Sequence, residues 1–222
     1  MAGISIRSFL FTARVFFRLF NRIEIKGRER IPVSGPVIIV ANHISNADPF
    51  ALMSYIIPVR PAAIMAKKEL FAFPPLGRLF LSWKGIPVDR SREGGDMSAL
   101  RGGLDALKNG GCLVLFPEGS RAKGRQLKPK LGVAMLAHRT GAPVLPARIF
   151  NAENFSKLGK ITIKFGNPRS FDTTSFAKAS EGRGPAKLIL SEADPSAAGD
   201  RKEAYAEFSQ TIMSDIFAIT EE

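Results

Sequence analysis

Residues 112–116 read CLVLF and run straight into Pro117, Glu118, Gly119, Ser120 and Arg121. A strand with one face in water alternates apolar and polar residues. A short run without alternation needs cover on both faces, which is the condition of a strand inside an α/β sheet. Residues 36–41, PVIIVA, repeat the pattern. Further short strands are expected at 62–66, 86–88, 144–149 and 160–165, and helices after Asp48, over 96–108, over 131–138 and over about 201–219. Asp48 suits an N-cap with Pro49 at the first helical position, and Asp96 suits a second cap. Residues 70–80 form a Phe-rich stretch broken by Pro74 and Pro75, and 173–199 reads as a polar surface insertion or flexible loop. Alternating strands and helices predict one α/β domain with a mostly parallel or mixed central sheet flanked by helices. No internal repeat or linker divides the 222 residues.

Charge narrows the choice of partners. Lys plus Arg total 32 against 20 acidic residues, a formal charge of +12, and the chain carries 17 Phe but one Trp and two Tyr. Such a chain suits a surface that is both greasy and anionic. Residues 4–20, ISIRSFLFTARVFFRLF, place Arg7, Arg14 and Arg18 near one helical face, with Phe9, Leu10, Phe16, Phe17 and Phe20 over much of the rest. Residues 1–22 are therefore expected to form an amphipathic helix lying on a membrane surface, ahead of a main domain over 23–222. The same helix docked on its own domain, arginines outward, is the other reading. No run of about 18 uncharged apolar residues occurs, so no transmembrane span is expected. The expected location is peripheral, on the cytoplasmic face of the cell membrane. The single Cys112 makes no disulfide framework and reads as core. Lys67, Lys68, Lys123, Arg125, Lys128 and Lys130 suit anionic partners, but no nucleic-acid motif accompanies them, so no nucleic acid is expected.

The chain has two histidines. His43 lies in Asn42-His43-Ile44-Ser45-Asn46-Ala47-Asp48, between a buried strand and a helix. Asp48 is close enough to fold back, hold one ring nitrogen and fix the tautomer, which leaves the other nitrogen to take a proton from a hydroxyl. A polar turn around a satisfied histidine is the competing reading. No metal-ligand spacing is present, so no metal is expected. Arg90 and residues 118–121 follow other short strands. Arginine is a multidentate donor to phosphate, and Gly119 allows close backbone approach. Glu118 suits a bare phosphate poorly unless it is paired with an arginine or positions a hydroxyl.

Residues 42–48 resemble the NHxSxxD signature of the glycerolipid acyltransferase family, complete at Asn42, His43, Ser45 and Asp48. Residues 85–90, GIPVDR, resemble its second block; residues 116–122, FPEGSRA, its third; and residues 143–146, PVLP, its fourth. The blocks keep family order within about 36–168, and Lys130-Leu131-Gly132 resembles the end of the family's basic loop. The resemblance implies that His43 is a general base oriented by Asp48. It also implies that Arg90, Glu118, Gly119 and Arg121 bind glycerol phosphate, with Ser120 an added donor and Asn42, Ser45 and Lys130 in support. The implied reaction transfers a fatty acyl group from acyl-CoA or acyl-carrier protein to the sn-2 hydroxyl of 1-acyl-glycerol-3-phosphate (lysophosphatidic acid), giving phosphatidic acid. The thioester is a co-substrate, and no tightly bound cofactor is implied. Another lysophospholipid, glycerol phosphate or a lyso-aminolipid as acceptor, and a non-catalytic peripheral membrane module, are the alternatives.

Overall fold

In the computed structural model the two apolar runs pair side by side. Strand β2 (Val37–Ala41) lies parallel to β5 (Cys112–Leu115), and every residue of both is buried. The structure describes residues 6–74, 76–91, 96–122, 127–172 and 195–221. Around this pair are built β1 (Glu24–Lys26), β3 (Ala62–Lys67), β4 (Ile86–Val88), β6 (Val144–Phe150) and β7 (Thr162–Phe165). The helices are α1 (Ile6–Phe20), α2 (Asp48–Ile56), α3 (Glu69–Ala72), α4 (Leu76–Ser82), α5 (Met97–Lys108), α6 (Gly132–Thr140) and α7 (Pro195–Ala218). The seven strands form one sheet in the order β1-β7-β6-β2-β5-β3-β4. Strands β6, β2, β5, β3 and β4 run parallel, while β7 turns antiparallel to β6 and carries β1 with it.

Two-residue periodicity divides the core. Val37, Ile39, Ala41, Cys112 and Val114 face a cluster filled by Phe17 of α1, Ala51, Leu52, Met53 and Ile56 of α2, and Phe80 of α4. Ile38, Val40, Leu113 and Leu115 face the opposite cluster, filled by Leu100 and Leu107 of α5, Val133 and Leu136 of α6, and Ile212, Met213 and Ile216 of α7. Helices on both faces explain why these strands carry no polar side. At the amino ends of three strands, the buried Arg60 guanidinium donates to the carbonyls of Pro32, Gly35 and Gly110, each at 2.8 Å.

Several expectations are refined. The stretch 70–80 is a helical hairpin, α3 and α4, folded tightly at Gly77, where a Cβ would stand 2.1 Å from the carbonyl oxygen of Phe71. Helix α7 begins at Pro195, before the expected residue 201; the rest of the expected insertion, 173–194, lies outside the described residues, as do residues 1–5 and Lys123 and Arg125 of the basic loop. Asp96 does cap α5, accepting from the amides of Ser98 and Ala99. Asp48 does not cap α2: Ala47 holds that position without a side-chain bond, and Asp48 turns its carboxylate back onto the preceding loop.

Helix α1 forms as expected and docks through Phe17, which is 3 % exposed. Phe11, Val15 and Leu19, spaced four apart on the outer side, stay exposed, Leu19 by 68 %. Among the described residues no helix is long and apolar enough to cross a membrane.

Candidate active site

The sheet's parallel strands end together, and the motif residues follow them: 42–48 follow β2, 116–122 follow β5, and 89–90 follow β4. A carboxyl-terminal edge of this kind is where open α/β sheets form their sites. Asn42 fixes where β2 stops. Its Oδ1 accepts from the Ile149 amide at 2.7 Å and its Nδ2 donates to the Ile149 carbonyl at 2.9 Å, so a buried side chain continues the ladder with β6 beyond Ala41.

His43 comes next, with its side chain 12 % exposed. Nδ1 stands 2.8 Å from Oδ2 of Asp48, which is fully buried. The same oxygen accepts the amides of Ile44 and Ser45, each at 2.7 Å. An oxygen that already receives two amides is the acceptor of this pair, so Nδ1 is the donor and, in the neutral ring, Nε2 holds the lone pair. Ser45 closes the turn, its Oγ accepting the Ala47 amide at 3.2 Å. The arrangement can orient an imidazole to remove a proton from a hydroxyl. His138, the other histidine, spends Nδ1 on the Tyr205 hydroxyl at 2.8 Å and packs beside Phe171.

The loop after β5 closes over His43. Phe116 stacks on the imidazole, with ring centroids 4.4 Å apart and planes at 24°. Glu118 turns inward, 3 % exposed, and its Oε2 accepts the His43 amide at 3.2 Å. Burial, with a smaller push from Asp48, raises the Glu118 pKa above its ordinary value despite the His43 contacts. Ala122 donates its amide to the His43 carbonyl at 2.9 Å. Gly119 adopts φ +69°, the left-handed region, and the Lys130 side chain lies along it. The Lys130 amide ties the loop base to the Pro117 carbonyl at 2.8 Å.

Ser120, Arg121 and Arg90 are exposed at the same edge. Strand β4 is three strands from β2, a span of about 14 Å at the usual spacing. Arg90 therefore stands across the edge from His43, and an acceptor reaching both must lie along it. The turn holding Arg90 is pinned by Asp89, which receives Lys68 at 2.7 Å and Ser91 at 2.6 Å; these bonds hold its carboxyl well below the usual range. Among the described residues no arginine forms an ion pair with Glu118, and no group of three His, Cys, Asp or Glu side chains is placed to hold a metal ion. A cavity of about 680 Å³ opens beside the end of α7, lined by Arg30, Lys164 and Arg169, and includes none of His43, Asp48, Arg90 or residues 118–121.

Sequence reasoning missed two features of this site. The sequence shows Phe116 only as the end of an apolar run, and its stacking on His43 depends on the loop's return. The paired hold on the His43 main chain, from Glu118 and Ala122, leaves no pattern in residue types.

A family sequence profile described as Acyltransferase matches residues 22–150, more than half of the chain. The chain belongs to the acyltransferase family. Relatives in that family include a 1-acyl-sn-glycerol-3-phosphate acyltransferase of Pseudomonas aeruginosa, 34 % identical over 127 residues that cover 56 % of this chain and 48 % of the relative. A chloroplastic enzyme of the same name from Brassica napus is 28 % identical over 142 residues, covering 63 % of this chain and 40 % of the relative. The chain thus spans about half the length of these relatives. Among solved structures, the 1-acyl-sn-glycerophosphate acyltransferase PlsC of Thermotoga maritima aligns over 98 % of this chain and 83 % of its own, with a TM-score of 0.61 and 25 % identity. Its fold match extends beyond the profile to α1 and α7.

Proposed function

We propose that this acyltransferase-family chain moves a fatty acyl group from a thioester, acyl-CoA or acyl-carrier protein, to the sn-2 hydroxyl of 1-acyl-glycerol-3-phosphate, forming phosphatidic acid. The observation that carries the reading is the His43–Asp48 pair at 2.8 Å, set at the carboxyl edge of a sheet whose other strand ends bear Arg90 and Arg121. The relatives' names favour the same acceptor.

In this reading His43 Nε2 takes the proton of the acceptor hydroxyl as its oxygen attacks the thioester carbonyl. Asp48 holds the imidazole and stabilises the imidazolium that forms. The tetrahedral oxyanion collapses, the C–S bond breaks, and the departing sulfur takes the proton back from Nε2. No covalent acyl-enzyme is needed. Arg90 and Arg121 hold the phosphate as planar donors, with Ser120 and the Gly119 turn completing the cradle.

The protein works at a membrane surface, as its lipid acceptor requires. The exposed stripe of Phe11, Val15 and Leu19, with Arg18 exposed beside it, suits an interfacial helix on an anionic leaflet. The cytoplasmic face is the location that fits a thioester donor.

The test incubates purified protein with acyl-CoA, or acyl-carrier protein, and a panel of lysolipids while thiol release is followed. Release that depends on lysophosphatidic acid, and is abolished by His43→Ala in a folded protein, is the expected result. Folded protein that releases no thiol with any acceptor overturns the enzyme reading. Release only with acceptors lacking phosphate overturns the acceptor.

A further inference from the structure

Three contacts from the loop after β5 converge on one residue. Phe116 stacks on the His43 ring, the Glu118 carboxylate accepts the His43 amide at 3.2 Å, and the Ala122 amide donates to the His43 carbonyl at 2.9 Å. The main chain of His43 is gripped at both its donor and its acceptor by residues four apart. We infer that Glu118 is a positioning residue for His43 and makes no contact with the acceptor's phosphate. The inference rests on the proposed function in taking His43 as the base, and it reassigns Glu118 within that site.

Burial and charge both favour this assignment. Glu118 is 3 % exposed, whereas Ser120, Arg121 and Arg90 are exposed where a phosphate can reach them. A carboxylate placed against a phosphate repels it, and among the described residues no arginine neutralises Glu118. What the Glu118 oxygen does meet is an N–H that β2 leaves unmatched. Strand pairing with β5 ends at Val40 and with β6 at Ala41, and the Asn42 side chain takes the next place on β6, so the His43 amide has no strand to donate to. A half-buried amide turned away from both neighbouring strands needs an acceptor, and Glu118 supplies it. The other end of the same peptide segment is fixed by the Asp48 oxygen that receives Ile44 and Ser45. His43 thus has its ring aimed by Asp48 and its main chain set by Glu118.

The acceptor role needs an oxygen and not a charge, and this separates it from both a phosphate-binding and an electrostatic role. Glu118→Gln keeps a carbonyl oxygen at the same reach; Glu118→Ala removes it. With two histidines in the chain, ¹⁵N-histidine labelling yields two backbone amide signals, one of them His43. In Glu118→Ala, the His43 amide is expected to exchange with deuterium about tenfold faster, with the signal of His138 unchanged. The kcat is expected to fall about 10- to 100-fold with the KM for lysophosphatidic acid within about twofold. Glu118→Gln is expected to restore both the slow exchange and most of kcat. The inference is overturned by a His43 amide indifferent to Glu118→Ala, by a KM increase with kcat unchanged, or by Glu118→Gln as impaired as Glu118→Ala. If Glu118→Ala does not fold, Glu118→Gln decides alone: near-native kcat and exchange support the assignment, and loss of either overturns it. If the wild-type protein transfers acyl groups to no acceptor, the proposed function fails, and the amide signals still judge the position of His43.

Discussion

Nδ1 of His43 and Oδ2 of Asp48 lie 2.8 Å apart, and that oxygen also receives the amides of Ile44 and Ser45. The carboxylate is therefore held by the loop whose histidine it orients. Asp48→Asn can keep an oxygen toward the three donors, with its NH2 in the unpartnered place of Oδ1, but it removes the negative charge that would stabilise an imidazolium at His43. The expected result is a kcat lower by about 10²–10⁴ with the KM for the acceptor near wild type. Steady-state thiol-release kinetics on protein checked by circular dichroism provide the measurement. A kcat within threefold of wild type would remove Asp48 from the mechanism.

Gly119 turns the loop with φ +69°, and the nearest Lys130 side-chain atom stands 3.5 Å from where a Cβ would lie. Space is adequate, so the penalty for Gly119→Ala is conformational, about 1–2 kcal/mol. Urea unfolding reads it as a lower midpoint with unchanged m-value. A midpoint equal to wild type would show that the turn relaxes freely.

Glu118 supplies a pH signature. Burial raises its folded-state pKa above 4.5, so the folded protein binds a proton that the unfolded chain has released. Stability from this group is greatest below the unfolded pKa and declines as pH rises toward the folded pKa. Glu118→Gln lacks that decline. The Tm difference, variant minus wild type, should grow from pH 4 to neutrality; a constant difference by calorimetry contradicts the burial argument.

Cys112 lies in β5 at 2 % exposure, and burial pushes its pKa up to about 12. The thiolate is the reactive form, so folded protein should not react with Ellman's reagent at pH 8. Unfolding in guanidinium should release one thiol per chain. Rapid reaction of native protein would mean that β5 opens readily.

Leu19 is 68 % exposed on the outer stripe of α1. Leu19→Glu should weaken co-sedimentation with anionic phospholipid vesicles about tenfold, the effect of losing one buried apolar side chain and adding a negative charge. Transfer to lysolipid presented in detergent should be unchanged. Equal vesicle binding by both proteins would show that α1 serves only the domain it packs on.

The central strands were legible because burial on both faces removes alternation, which is why CLVLF and PVIIVA stood out. The site's chemistry was legible where it depends on residue type close in sequence, as with His43 and Asp48. Elements held by their surroundings were not. Strand β1 has three residues and exists by pairing with β7; α3 and α4 are too short to show a period and owe their fold to the close approach at Gly77. Asp48 looked like a helix cap because Asp before Pro often is one, but three donors on its other side outcompete the helix amides. For Glu118 the sequence shows the neighbours along the chain, Arg121 among them, and not the direction its carboxylate takes.

The side chain of Asn42 stands in for a stretch of backbone against Ile149, so the chain reaches His43 with no slack between scaffold and chemistry. Phase then becomes a functional quantity. One residue inserted anywhere from Val37 to Asn42 would carry the imidazole to the opposite face of the sheet, away from Phe116 and the loop that grips it. Within β2 a substitution alters one side chain, whereas a change in the count of residues turns the base itself away from its loop.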